Sequence, residues 1–407
     1  MAVPQWLGLY SKCEYLLATC EIFGLMPSIP LLISAGEASG DMYAARLATA
    51  LKERLDVELF GMGGPLMRAA GVEIVTDYSE VAVVGITEIV KHLPSLLQAM
   101  DRLVEAAEKQ RPALAILTDF PGFHLRLARK LKPKGVQNIY YICPQFWAWR
   151  PWRANLVRRR FAMALCIFPF EEKFFSDAGV PTKFIGHPLV GAVQATKDRR
   201  QFCEKMGLDA SRSVVTVLPG SRAGELAHHV PVLREACALI NGRVPTQFVI
   251  AAAQGQDLGA LKSGWPPGMV VRVVEGETYN ALAAANAAIV SSGTATVETA
   301  LLNVPMVVIY RVSPLTAALA KPLVRTPHFA MVNLIAEKKV VPELVQDEFT
   351  PARVAQETLR LLQEPNAREA QRRGLEEVRK RLGPPGAVER AADEIASLLQ
   401  GKAGNAF

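Results

Sequence analysis

Five short segments carry side chains suited to chemistry, and each directly follows an apolar run. Asp119-Phe120-Pro121-Gly122-Phe123-His124 puts a carboxylate after the run 113–118, where it could take a proton from a substrate hydroxyl. A turn-stabilising Asp would read the same way, and a rigid Pro-Gly turn is expected just behind it. Gly36-Glu37-Ala38-Ser39-Gly40-Asp41 combines two glycines, which permit a tight turn, with acidic groups that disfavour a phosphate. Ser39 or Asp41 is expected to cap the helix that follows. Trp147, Trp149 and Trp152, three of the five tryptophans, lie beside Arg150 and Arg153, with Arg158, Arg159 and Arg160 close behind. Aromatic planes suit sugar faces and acyl chains, and guanidinium suits phosphate. An aromatic core corner beside a solvated basic helix accounts for part of this cluster.

The other two segments suit anions. Pro219-Gly220-Ser221-Arg222, with Glu225 shortly after, is a small turning loop whose arginine can clamp a diphosphate through two parallel hydrogen bonds. Ser291-Ser292-Gly293-Thr294-Ala295-Thr296-Val297-Glu298 places small residues at a helix N-terminus, where N–H groups point at phosphate. Glu298, one turn in, could hold ribose hydroxyls, and its plain alternative is a solvated helix residue. No HExxH, DxD or Cys/His cluster with metal spacing occurs in the sequence. A metal-independent reaction without a cofactor is therefore expected, with Arg222 and helix dipoles stabilising the leaving diphosphate.

The elements that must position these loops alternate between strand-like and helix-like patterns. Strands are expected at 31–35, 57–61, 113–118, 138–143 and 164–168, then at 213–218, 246–252, 269–274, 287–291 and 305–309. Helices are expected at segments such as 43–54 and 95–109. Continuous apolar strands alternating with helices imply parallel sheets covered on both faces. The alternation forms two blocks separated near 190–200. The expected fold is therefore α/β, with two doubly wound Rossmann-like domains facing a cleft, and ligands on the loops after the strands. The 407 residues are 50% hydrophobic and 21% charged, enough for two cores. A net charge of +7 suits anionic small molecules or an anionic membrane face. There is no dense basic tract, so nucleic acid is not an expected partner. Six scattered cysteines suggest a reducing compartment and no disulfide framework. Segment 3–30 is broken by Lys12, Glu14 and Glu21, so neither a signal peptide nor a spanning helix is expected. Residues 1–25 are either a translated leader ahead of a start at Met26 or a short surface helix.

The ordered set Gly36–Asp41, Trp147-Ala148-Trp149-Arg150, Phe184-Ile185-Gly186-His187, Leu218-Pro219-Gly220-Ser221-Arg222 and Ser292–Glu298 resembles the lipid-A-disaccharide synthases, over about residues 30 to 395. The resemblance implies a GT-B glycosyltransferase fold. It also implies inverting transfer of 2,3-diacylglucosamine from UDP to the 6-hydroxyl of 2,3-diacylglucosamine 1-phosphate, in lipid A and lipopolysaccharide biosynthesis. By the same resemblance the enzyme is cytoplasmic and peripheral on the cytoplasmic face of the inner membrane, and homodimers with exchanged C-terminal segments occur. Asp119 and Arg222 match the catalytic positions, and Asn333 matches an asparagine near the nucleotide site. UDP-sugar contacts are expected at Gly220, Ser221, Ser292, Gly293, Thr294, Ala295, Thr296 and Glu298, and acceptor contacts at Glu37, Ser39, Asp41, His124, Trp147 and Arg150. The domains then read as a leader (1–28), an acceptor domain (29–190) and a UDP-sugar domain (191–360). Helices from 361–407 are expected to pack on the N-terminal domain or on a partner chain.

The family pattern after the aspartate is roughly Asp-Ala-Pro-Asp-Phe-Asn, so this chain lacks the second carboxylate and has His124 for the asparagine. Asp119 is expected to be the general base. His124 is the rival, or a group that orients Asp119 or meets the acceptor phosphate. An apolar stripe of Ile86, Ile89, Val90, Leu93, Leu96, Leu97 and Met100 is either a core face or a membrane and acyl-chain patch. Alternatives to the synthase are another UDP-sugar GT-B enzyme, such as a 2-epimerase or lipid II type transferase, and a non-catalytic nucleotide-sugar binding protein.

Overall fold

A computed structural model describes residues 28–81, 89–313, 326 and 328–403. The apolar runs fold into two sheets of the same design. The first contains β1 (Ile29–Ala35), β2 (Val57–Gly63), β3 (Glu73–Asp77), β4 (Leu114–Thr118), β5 (Gln137–Tyr141), β6 (Met163–Cys166) and β7 (Thr182–Phe184), in the order β3-β2-β1-β4-β5-β6-β7. The second contains β8 (Ser213–Leu218), β9 (Thr246–Ala252), β10 (Val270–Glu275), β11 (Ala287–Ser291), β12 (Met306–Tyr310) and β13 (Glu343–Val345), in the order β10-β9-β8-β11-β12-β13. Every pair in the second sheet is parallel, as are β1 with β2 and β4, β2 with β3, and β6 with β7 in the first. Each sheet therefore has the doubly wound order, with a switch point where the chain crosses from one side of its first strand to the other.

The central strands are buried along their length, as in LAILT of β4 and TQFVIAA of β9, because helices must cover both faces of a parallel sheet. Ile33 on β1 sits opposite Gly61 on β2 and Ile116 on β4. A side chain at Gly61 would meet the Ile33 carbonyl at 2.0 Å, so only glycine lets the two strands approach there. The ten expected strands are present within a few residues. Three strands went unrecognised in the sequence, namely β3, β7 and β13, and all three lie at sheet edges. Edge strands are covered on fewer sides, so these three need no continuous apolar run, although β10, the fourth edge strand, is apolar enough to be recognised.

Two local expectations are corrected. The turn after β4 is made by Asp119 and Phe120 themselves, while Pro121 and Gly122 open the helix Pro121–Leu131. Pro is favoured at that first position because its missing N–H would have no helical partner. Neither Ser39 nor Asp41 caps the helix Ala38–Lys52; both lie inside it, behind Glu37. Asp41 is buried and accepts from the N–H groups of Gly64, Leu66 and Met67 at 2.7, 3.0 and 3.2 Å, thereby capping the neighbouring helix Pro65–Ala69.

The described chain divides into two compact units: residues up to Ile139 with those from Ala392 onward, and Tyr140–Ala391. Within the first, Arg54 donates to Asp393 at 2.6 Å, holding the final helix Ala387–Ala403. The core of the second gathers Val215, Val217, Phe248, Ile250 and Ile289 from its strands, with Leu233, Ile240 and Phe349 packed on them. Among the described residues no helix is long and apolar enough to cross a membrane.

Candidate active site

In the first sheet the switch point lies between β1 and β4, so the loops leaving those strands are neighbours. They touch directly: the Phe120 ring lies where a side chain on Gly36 would be, 2.3 Å from the position of its first carbon. Asp119 and Phe120 both adopt the left-handed backbone region, with φ of 48° and 45°. That conformation costs about 1–3 kcal/mol for each non-glycine residue and persists only where surrounding structure enforces it. Asp119 as a whole residue is half-buried, and its carboxylate is densely surrounded. Burial, followed by the negative charge of Glu37, raises its pKa from 3.8 to about 6, and a hydrogen bond from the Phe120 backbone only partly opposes this. Glu37 and Ser39 are exposed at the same strand end.

His124 lies below this turn, fully buried. Its Nδ1 is 2.9 Å from the Asp119 carbonyl oxygen and its Nε2 is 2.8 Å from the Ser34 hydroxyl. Burial lowers its pKa to about 4, so it is neutral at pH 7. The ring that was expected to contact the acceptor thus has no exposed surface and both its nitrogens bonded within the protein. Ser34 was not singled out in the sequence, because a lone serine inside an apolar strand carries no pattern.

The second sheet switches between β8 and β11. The loop after β8 turns at Gly220, φ 123°, and leads into the helix Ala223–Asn241. The N–H groups of Ser221 and Arg222 converge on one Glu225 carboxylate oxygen at 3.0 and 3.4 Å, so this corner binds an anionic oxygen. The Arg222 side chain is 69% exposed and 3.8 Å from Glu225, leaving its guanidinium within reach of a ligand. Two residues missed in the sequence fasten the loop. His229 bonds the Pro219 carbonyl at 2.7 Å and accepts from the Arg311 N–H at 2.9 Å, and Gln256 donates to the Gly220 carbonyl at 2.9 Å.

After β11, Gly293 has φ 146°, and among the described residues no atom beyond its chain neighbours lies within 4 Å of where a side chain would start. Exposed Thr294 and half-buried Ala295 follow, opening the helix Thr294–Leu301, while Thr296 turns inward to bond the Gly293 carbonyl at 2.8 Å. Ser292 donates to the Phe329 carbonyl at 3.3 Å. Glu298 is half-buried, which raises its pKa, and it accepts from the Tyr279 hydroxyl at 2.9 Å. It is therefore more than a solvated helix residue.

Two expected contact residues are committed elsewhere. Asn333 is fully buried, donating to the Val341 carbonyl and Glu343 and accepting from the N–H groups of Val340 and Val341, at 2.7–2.9 Å. Its amide thus holds the 340–343 segment. The Trp147 indole N–H donates to buried Glu171 at 3.2 Å. Arg150 stacks over Trp149 at 4.4 Å, and Trp152 is 59% exposed. In the apolar stripe, Ile86 and the side chains of Ile89, Val90 and Leu93 lie outside the described residues. Leu96 is half-buried, Leu97 is 47% exposed and Met100 belongs to the core. A cavity of about 440 Å³ lies elsewhere, between Lys338, Arg360, Gln371 and Glu377, and no switch-point residue lines it.

The family profile described as lipid-A-disaccharide synthetase matches residues 31–396. The lipid-A-disaccharide synthase of Solibacter usitatus (strain Ellin6076) is 45% identical over 381 residues, covering 93% of this chain and 99% of that one. That of Syntrophus aciditrophicus (strain SB) is 41% identical over 381 residues, covering 92% and 99%. Among solved structures, the calicheamicin glycosyltransferase CalG4 superposes with a TM-score of 0.59 at 18% identity, covering 92% of this chain and 99% of that one. MurG of Acinetobacter baumannii gives 0.56 at 16%, covering 91% and 100%. A UDP-GlcNAc 2-epimerase from Neisseria meningitidis gives 0.57 at 10%, covering 92% and 100%. The fold is thus the GT-B fold. It is shared with transferases and epimerases alike, so only the family match separates them.

Proposed function

The chain belongs to the lipid-A-disaccharide synthase family, and from that premise we propose that it transfers 2,3-diacylglucosamine from UDP to the 6-hydroxyl of 2,3-diacylglucosamine 1-phosphate. The products are the β-1,6-linked disaccharide 1-phosphate and UDP. The observation that carries the reading is Asp119, a carboxylate at a switch point whose pKa is raised to about 6.

A sugar hydroxyl is a poor nucleophile until its proton begins to leave. A carboxylate with a raised pKa is a stronger base than an ordinary one, yet at pH 7 it remains mostly ionised. Asp119 takes the 6-hydroxyl proton as the oxygen attacks the donor's anomeric carbon and the bond to the UDP oxygen breaks. Inversion requires the nucleophile and the leaving group on opposite sides of that carbon. Charge grows on the departing diphosphate. Arg222 and the N–H groups at Gly293 and Thr294 are assigned to stabilise it, and Glu298 to hold the ribose hydroxyls. Asp119 then returns its proton to water. Glu37 and Arg150 are assigned to the acceptor, on the hydroxyls and the phosphate respectively.

The substrates are acylated, so the enzyme is proposed to work at the cytoplasmic face of the inner membrane, with exposed Leu97 among the contacts. Exchange of C-terminal segments between two copies belongs to the same proposal. Matched diacylated donor and acceptor should yield UDP and the disaccharide by mass spectrometry. UDP binding without turnover would instead favour a nucleotide-sugar binding protein.

A further inference from the structure

We infer that His124 is the positioning residue for Asp119, locking its backbone in the left-handed turn through one hydrogen bond and being locked in turn by Ser34. The inference rests on the proposal that Asp119 is the general base. A carbonyl oxygen can only accept, so the 2.9 Å bond to the Asp119 carbonyl puts the imidazole proton on Nδ1. Nε2 then carries the lone pair and accepts the Ser34 hydroxyl proton at 2.8 Å. Both nitrogens are engaged, so the ring acts on the backbone of residue 119 and not on a substrate.

The surroundings leave the ring little choice of pose. His124 lies in the first turn of the helix Pro121–Leu131, where its own N–H donates to the Phe120 carbonyl at 3.0 Å. The Phe120 and Phe123 rings meet it edge-on, with centroids at 5.8 and 5.7 Å. Ser34 stands on β1 opposite Leu117 of β4, so the Ser34–His124–Asp119 chain links the two strands that bound the switch point. Asp119 and Phe120 are consecutive non-glycine residues at positive φ, a conformation that relaxes unless something holds it. The charge of Glu37, on the β1 loop, acts on Asp119 and raises its pKa further. Releasing the Asp119 carbonyl would let the carboxylate swing away from that charge and toward water.

Side-chain replacements separate the two bonds. An asparagine amide nitrogen can stand where Nδ1 is and still donate to Asp119, but it does not reach Ser34. A leucine supplies the bulk and neither bond. The experiment measures kcat, KM and their pH dependence for His124→Asn, His124→Leu, Ser34→Ala and Asp119→Asn, with UDP affinity by calorimetry and melting temperature for each.

His124→Leu is expected to lose about 10²-fold in kcat, the scale of a misplaced reacting group, while KM and UDP affinity hold. Its acid limb should move from about pH 6 toward the ordinary carboxylate range. His124→Asn, which keeps the bond to Asp119 and loses the one to Ser34, should recover most of the lost kcat and bring the limb back to about where Ser34→Ala has it. Ser34→Ala should fall a fewfold in kcat, with the limb moving the same way. If His124→Leu does not fold, the Ser34→Ala limb decides, and an unmoved limb overturns the inference. A His124→Leu enzyme with wild-type kcat overturns it, as does equal loss in the Asn and Leu variants with the limb unmoved. An active Asp119→Asn enzyme sinks the base assignment itself. A dead Asp119→Asn beside a fully active His124→Leu sinks only the positioning role.

Discussion

The two switch points occupy the same place in two sheets of the same strand order, yet they are furnished in opposite ways. The first carries a carboxylate among aromatic rings, on two strained non-glycine residues, above a buried neutral histidine. The second carries glycines at positive φ, small residues, converging N–H groups and an exposed arginine. A proton acceptor needs burial to raise its pKa, and burial requires side chains that hold it there. A diphosphate needs open backbone and a charge that reaches out, so side chains are removed. On the proposed assignment, one fold supplies either chemistry, according to what stands on two loops.

The sharpest way to break this contrast is to remove the carboxylate. Asp119→Asn should lose about two to four orders of magnitude in kcat, with UDP affinity unchanged. It should also make the protein more stable. The folded pKa, about 6, lies above the ordinary 3.8, so the fold holds more protons than the unfolded chain between these values and stability falls as pH rises through that window. At pH 7 the ionised group therefore costs up to about 3 kcal/mol, reduced by its remaining exposure. A higher melting temperature for the variant at pH 7 than for wild type, with the gap closing toward pH 4, is the expected result. A gap that widens on acidification would be wrong for a raised pKa.

At the second switch point, Arg222→Ala should remove about 2.7–4 kcal/mol of transition-state stabilisation and leave the melting temperature near wild type, because the side chain is exposed. Turnover within twofold of wild type would take this role from Arg222. Gly293→Ala should weaken UDP binding by roughly tenfold or more, as strain of about 1–3 kcal/mol enters a loop that must keep its shape. Unchanged calorimetry would mean no ligand approaches that backbone. The smallest effect is expected at Leu97→Glu. Stability should stay within about 0.5 kcal/mol, because the residue is exposed, while sedimentation with anionic liposomes decreases. Undiminished sedimentation would remove Leu97 from the membrane contact.

The sequence carried most of the fold because the nine interior strands, and β10 at one edge, are mostly apolar runs that stand out. The edge strands β3, β7 and β13 escaped because being at an edge relaxes the demand for such a run. The chemistry-bearing loops were legible from residue type directly after strands. What was not legible is how polar atoms are paired. Asp41 and Asn333 look like ligand contacts in a string of letters, yet both bond the protein's own backbone. Ser34, His229 and Tyr279 look like nothing in particular, yet each fixes a group at a switch point. Pairing of this kind depends on contacts between distant segments, such as positions 34 and 124, and no local spacing encodes it.

The most direct test of the central claim is the pH dependence of kcat for the wild-type chain with saturating diacylated donor and acceptor. Ionisation of Asp119 predicts an acid limb with an apparent pKa of about 6, while UDP affinity over the same range shows no matching step. A limb near 4, or one that persists unchanged in the residual activity of Asp119→Asn, would mean that another group takes the proton.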